Sequence, residues 1–123
     1  MSLRYLDFDY SEDTEDIGVF EAMATTGPQQ AAAVHAEIMQ VLAWAHEALP
    51  GRRGPVGDGG GEWDYDLQAM QELTVPQTLE YDEARGRLEV RTGPAGTPRH
   101  TVTLAISGTP AFCAAFRDRF GLG

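Results

Sequence analysis

Between residues 28 and 49 the apolar positions Val34, Ile38, Val41, Leu42, Ala45 and Leu49 recur at helical spacing, while on either side of that stretch apolar and polar residues alternate one for one. This contrast limits the fold sharply. A single long helix with one apolar stripe has to lay that stripe on something, and short half-buried strands offer only the inner face of a sheet. Gly27-Pro28 punctuates the start and Pro50-Gly51 ends the pattern, with Ala31 to Ala33 adding helix propensity.

Before the helix, Leu6, Phe8 and Tyr10 alternate with Asp7, Asp9 and Ser11, and a second β-like run extends from Ile17 to Thr25. The polar stretch Glu12 to Asp16 between them predicts a hairpin. After the helix, Trp63, Tyr65, Leu67 and Ala69 alternate with Asp64, Asp66, Gln68 and Met70. Leu79 and Tyr81, then Leu88 and Val90, flank Asp82-Glu83-Ala84-Arg85-Gly86, which predicts a further hairpin with Gly86 at a positive-φ position. Val102, Leu104 and Ile106 form another strand. Thr109-Pro110 reads as an N-cap followed by an N1 proline, and Phe112, Phe116 and Phe120 place an aromatic face on a short closing helix.

The order is therefore ββαββββα. Short connections favour antiparallel pairing, and two helices with one stripe each cover one face only. The expected fold is α+β, a two-layer sandwich with a mostly antiparallel sheet of about five to six strands and one long and one short helix on one face. Residues 1–123 are expected to form a single domain, since neither flank of the glycine-rich run at 50–62 is long enough for a comfortable core of its own. That run, with six glycines, reads as a flexible loop.

Charge is distributed as unevenly as hydrophobicity. Seventeen of nineteen acidic residues lie in the first 84 positions against three arginines, and residues 85–123 hold six arginines with only Glu89 and Asp118. The two parts carry about −14 and +4, which sum to the formal net charge of −10. Such a field attracts basic surfaces and opposes nucleic acid and anionic lipid. The arginines of the last third are best used in pairing with the acidic part, within the chain or across a homo-oligomer such as a symmetric dimer, in which opposite ends of the chain complement each other. No lysine or asparagine occurs while Ala, Gly, Arg and Pro abound, which points to a GC-rich, bacterial coding sequence. One cysteine, Cys113, permits no intrachain disulfide, and no signal-like or membrane-spanning apolar run is present. A cytoplasmic setting without membrane attachment is the expectation.

Two patterns stand out as candidate sites. Asp7 with Asp9, and Asp64 with Asp66, each place two carboxylates on one strand face, and neighbouring strands would bring all four together. Hard cations such as Mg²⁺ or Ca²⁺ prefer such oxygen sets and could activate water there. The ordinary alternative is the wet side of a half-buried strand. The acidic tip Glu12, Asp13, Glu15 and Asp16 is the second candidate, as a contact for a basic partner.

Other motifs exclude more than they suggest. An EF-hand loop starting at Asp7 needs Gly where Glu12 stands and Glu where Gly18 stands. His35-Ala36-Glu37 carries half of a zinc deaminase signature, but the cysteine half is missing. His35 and His46 lie about 16 Å apart along the helix axis and cannot share a metal. The glycine run lacks the preceding strand, following helix and lysine of a phosphate loop. Cys113 between Phe112 and Phe116 reads as a small core residue. No catalytic signature emerges. The sequence supports a small acidic interaction protein engaging a basic partner, with a divalent-metal enzyme or cation binder, or a small-molecule binder between sheet and long helix, as alternatives.

Overall fold

A computed structural model describes residues 3–56 and 60–122. Six strands and two helices follow the predicted order: β1 (Asp9–Glu12), β2 (Gly18–Thr26), α1 (Pro28–Ala48), β3 (Trp63–Glu72), β4 (Gln77–Asp82), β5 (Arg87–Thr92), β6 (Arg99–Gly108) and α2 (Pro110–Phe120). The fold is α+β. Four strands make an antiparallel sheet ordered β1-β2-β6-β3, and β4 and β5 pair separately as a two-stranded sheet.

The inner strands show why the sheet has one dry side. On β2, Phe20, Ala22 and Ala24 are buried while Glu21, Met23 and Thr25 point away, and on β6 Val102, Leu104 and Ile106 are buried. Register aligns Phe20 with Ile106 and Ala22 with Leu104. Over this floor α1 lays Val34, Ile38, Val41 and Ala45, and α2 lays Phe112, Cys113, Phe116 and Phe120. Phe116 is packed among Phe8, Phe20, Trp44, Phe112 and Phe120, with ring centroids 4.6 to 6.0 Å away. Each such ring adds about 2–3 kcal/mol by leaving water.

Helix ends are set by the residues that flank them. The Thr109 hydroxyl accepts the Phe112 N–H at 3.3 Å, with Pro110 at the first helical position, and α2 closes at Gly121 with φ 67°. Gly86 likewise takes φ 63° in the β4–β5 turn. Elsewhere glycine is needed for closeness. Gly18 and Gly108 pair across β2 and β6, a Cβ on Gly18 would lie 2.6 Å from the Cys113 sulfur, and one on Gly108 would collide with the Phe112 ring. The two missing side chains let the first turn of α2 sit directly on the sheet.

The glycine-rich loop is partly structured where it is described. Gly54 N–H donates to the Trp63 carbonyl at 2.9 Å, Glu62 N–H to Arg52 at 2.9 Å and Gly61 N–H to Pro55 at 3.0 Å. These bonds lay residues 52–56 beside the approach to β3; residues 57–59 of the predicted flexible run lie outside the described residues. No helix among the described residues is long and apolar enough to cross a membrane.

The N-terminal segment is fastened to α1 by one side chain. The Glu37 carboxylate accepts three successive backbone N–H groups, from Arg4 at 2.8 Å, Tyr5 at 3.0 Å and Leu6 at 3.0 Å. Leu6 is thereby held in the core and Phe8 against Phe20 and Phe116.

Candidate functional site

Because both helices lie on one side, the opposite side of the four-stranded sheet is uncovered. Strand alternation decides what it displays. One row runs Asp9, Glu21, Ala105, Asp66 across β1, β2, β6 and β3, and the next runs Ser11, Val19, Ser107, Asp64. Met23, Thr25, Thr101, Thr103, Gln68, Met70 and Glu72 complete the face. Its centre is small and its edges are acidic. Two shallow depressions occupy it, of about 300 Å³ beside Asp64, Asp66, Val19 and Ser107, and about 350 Å³ beside Gln68, Met70, Thr101 and Thr103.

The aspartates singled out from sequence thus share a face but not a site. Asp9 on β1 and Asp66 on β3 occupy opposite edges, three strand spacings or about 14 Å apart. Asp7 precedes β1 and is exposed. Asp64 is engaged by Arg53, whose Nε donates at 3.0 Å and whose guanidinium lies 4.5 Å from the Tyr65 ring centroid. Asp66 accepts from the Gln68 amide at 3.0 Å. Among the described residues, no group of three or more His, Cys, Asp or Glu side chains is arranged to hold a metal ion. The reason is topological: β2 and β6 stand between the two aspartate pairs.

At the hairpin tip the four acids separate by role. Asp13 Oδ1 accepts the N–H groups of Glu15 at 2.8 Å and Ile17 at 3.0 Å, so it builds the turn. Glu12 accepts the Tyr10 hydroxyl at 2.9 Å, a bond that raises the Tyr10 pKa, and Arg117 stacks 4.0 Å from the same ring. Glu15 and Asp16 are exposed, Asp16 at φ 63°. Of the four, Glu15 and Asp16 have carboxylates in no hydrogen bond or ion pair among the described residues.

Arginine pairing leaves the open face negative. Five ion pairs form among the described residues: Arg52 with Glu62, Arg53 with Asp64, Arg85 with Asp82, Arg91 with Glu80 and Arg99 with Glu72. Asp9, Glu21 and Asp66 are in none of them. These contacts are largely exposed and stabilise little, about 0–1 kcal/mol each, but they fix where positive charge is spent.

Two further features bear on the alternatives. An apolar groove of about 210 Å³ opens between α1 and β3, lined by His35, Ile38, Met39, Leu67, Ala69 and Val102. It lies where a small-molecule pocket was anticipated, yet it is smaller than the usual ligand cavity of about 300–1,000 Å³ and has His35 as its single titratable group. Cys113 is buried, with its sulfur 3.5 Å from the Gly108 carbonyl, and burial raises its pKa, so it carries a thiol rather than a nucleophilic thiolate. His46 stands edge-on to Trp63 at 4.9 Å and is occupied in packing.

No family model, curated protein or solved structure matches this chain. Its function has to be argued from the site alone.

Proposed function

We propose that the chain is a non-catalytic protein-interaction module whose open sheet face receives a basic partner surface. The observation that supports this reading is the row Asp9, Glu21, Asp66, which lies on an uncovered face and is left without arginine partners among the described residues. A floor of Thr101, Thr103, Ala105 and Ser107 between acidic edges suits a segment bearing several arginines or lysines, with its aliphatic stems on the small residues and its charges at the rim. The exposed Glu15 and Asp16 extend the negative area past the end of β1. A single buried thiol fits a reducing, cytoplasmic setting.

The test must separate a face from mere net charge. Retention of the full chain on an immobilised arginine-rich peptide should be strong at low salt and fall steeply by about 0.3 M. Replacing Asp9, Glu21 and Asp66 together by Asn, Gln and Asn should weaken retention at least tenfold. Neutralising Glu47, Glu83 and Glu89, which removes the same charge elsewhere, should weaken it far less. Equal loss from both triple variants would remove the sheet face from the reading.

A further inference from the structure

β4 and β5 leave the main sheet as a two-stranded arm that touches α1, α2 and the four-stranded sheet little. Its register opposes Leu79 to Val90 and Tyr81 to Leu88, so these four side chains share one face. They are 58, 57, 63 and 59% exposed, respectively. The other face carries Thr78, Glu80 and Asp82 opposite Arg91, Glu89 and Arg87, tied by the 3.5 Å contact between Arg91 and Glu80. The arm is therefore amphipathic, with its apolar side in water. An isolated two-stranded hairpin is marginal on its own and gains stability by packing that side against another layer.

We infer that two copies of this chain pair arm to arm, apolar face on apolar face, to form a two-fold dimer. Three observations select a second copy as the occupant. First, the face can meet itself: Leu79, Val90, Tyr81 and Leu88 carry no charge, so two copies related by a two-fold axis and laid face on face bury no ion without a partner. Second, residues 73–98 hold four acids and three arginines, about −1 of the whole chain's −10, so an equally acidic copy meets little repulsion here. A basic partner would gain little from this surface. Third, the area is adequate. The four side chains expose roughly 100 Å² each, and Leu73 and Val75, 56 and 46% exposed in the segment that leads into β4, bring each copy's apolar contribution to about 600 Å². Specific interfaces begin at about 600 Å² per partner.

This pairing uses a different surface from the acidic sheet face and stands without it. Light scattering on the full chain across about 1–100 μM should give a mass near 27 kDa, twice the 13.4 kDa chain. The L79E/L88E variant places like charges in the facing layer and should weaken dimerisation at least a hundredfold, giving 13.4 kDa with unchanged far-ultraviolet dichroism. Y81S/V90S, milder and equally remote from the core, should give the same direction if the first variant folds poorly. Met23→Glu, on the open sheet face, should remain dimeric. A wild-type chain that stays at 13.4 kDa throughout this range, or a dimer that survives both arm variants, would overturn the inference.

Discussion

Removing the Glu37 side chain should cost far more than a substitution at a partly exposed polar position of a helix usually does. Its carboxylate is the common acceptor for the N–H groups of Arg4, Tyr5 and Leu6. A hydrogen bond to a charged group contributes about 1.5–3 kcal/mol, but three donors sharing two oxygens near solvent do not add fully, so we expect about 2–4 kcal/mol for Glu37→Ala. Complete release of the segment would also expose Leu6, at about 1.5–3 kcal/mol, and loosen Phe8 from Phe116. For a chain of this length a loss of 3 kcal/mol lowers Tm by about 10 °C. Glu37→Gln keeps one acceptor oxygen and should lose about half as much. Urea unfolding at neutral pH, followed by tryptophan emission, gives both values. A loss below about 0.5 kcal/mol for Glu37→Ala, or a Gln variant as damaged as the Ala variant, would refute the idea that this carboxylate fastens the N-terminus.

Gly108→Ala should destabilise by about 1–3 kcal/mol in the same assay, because its Cβ meets the Phe112 ring and α2 must lift, whereas Gly54→Ala, with open space around it, should stay within about 0.5 kcal/mol. Burial raises the Cys113 pKa above its ordinary 9.0, so the folded state holds that proton more tightly than the unfolded chain does. The associated stability is fully present below pH 9 and is lost as pH rises through the raised value; between pH 8 and 10.5 the wild type should lose stability more steeply than Cys113→Ala, and parallel slopes would contradict this. Millimolar Mg²⁺ or Ca²⁺ should leave Tm within about 1 °C, since Asp9 and Asp66 stand about 14 Å apart; a rise that grows with metal concentration would show that the carboxylates gather in solution.

The alternation that placed Trp63, Tyr65 and Leu67 on one side of a strand and Asp64 and Asp66 on the other was readable because it depends only on the pleat. The long helix, the Thr109 cap and the turn at Gly86 were readable for the same local reason. Strand neighbours were not. β6 inserts between β2 and β3, a pairing of segments about 80 residues apart that no nearby residue announces, and it is this insertion that parts Asp9 from Asp66. The β4–β5 pair shows the same limit differently: Leu79, Tyr81, Leu88 and Val90 alternate like any half-buried strand, and periodicity cannot say that the layer beneath them is missing. Glu37 carried no signal because its donors are backbone groups, the same in any sequence. Gly18 and Gly108 were legible only as two glycines until their pairing revealed a shared seat for α2.

The position of β6 also has a consequence for biosynthesis. The ribosome makes this strand after the other five, yet it is the one that joins β2 to β3, so until residue 108 has emerged the earlier segments have no common partner to close upon. Folding of the four-stranded sheet must then wait for that strand, paced by closure of a long chain loop rather than by growth from the N-terminus. During that interval the nascent hairpin and the stripe of α1 travel uncovered, which makes elongation the period when this polypeptide most needs chaperones.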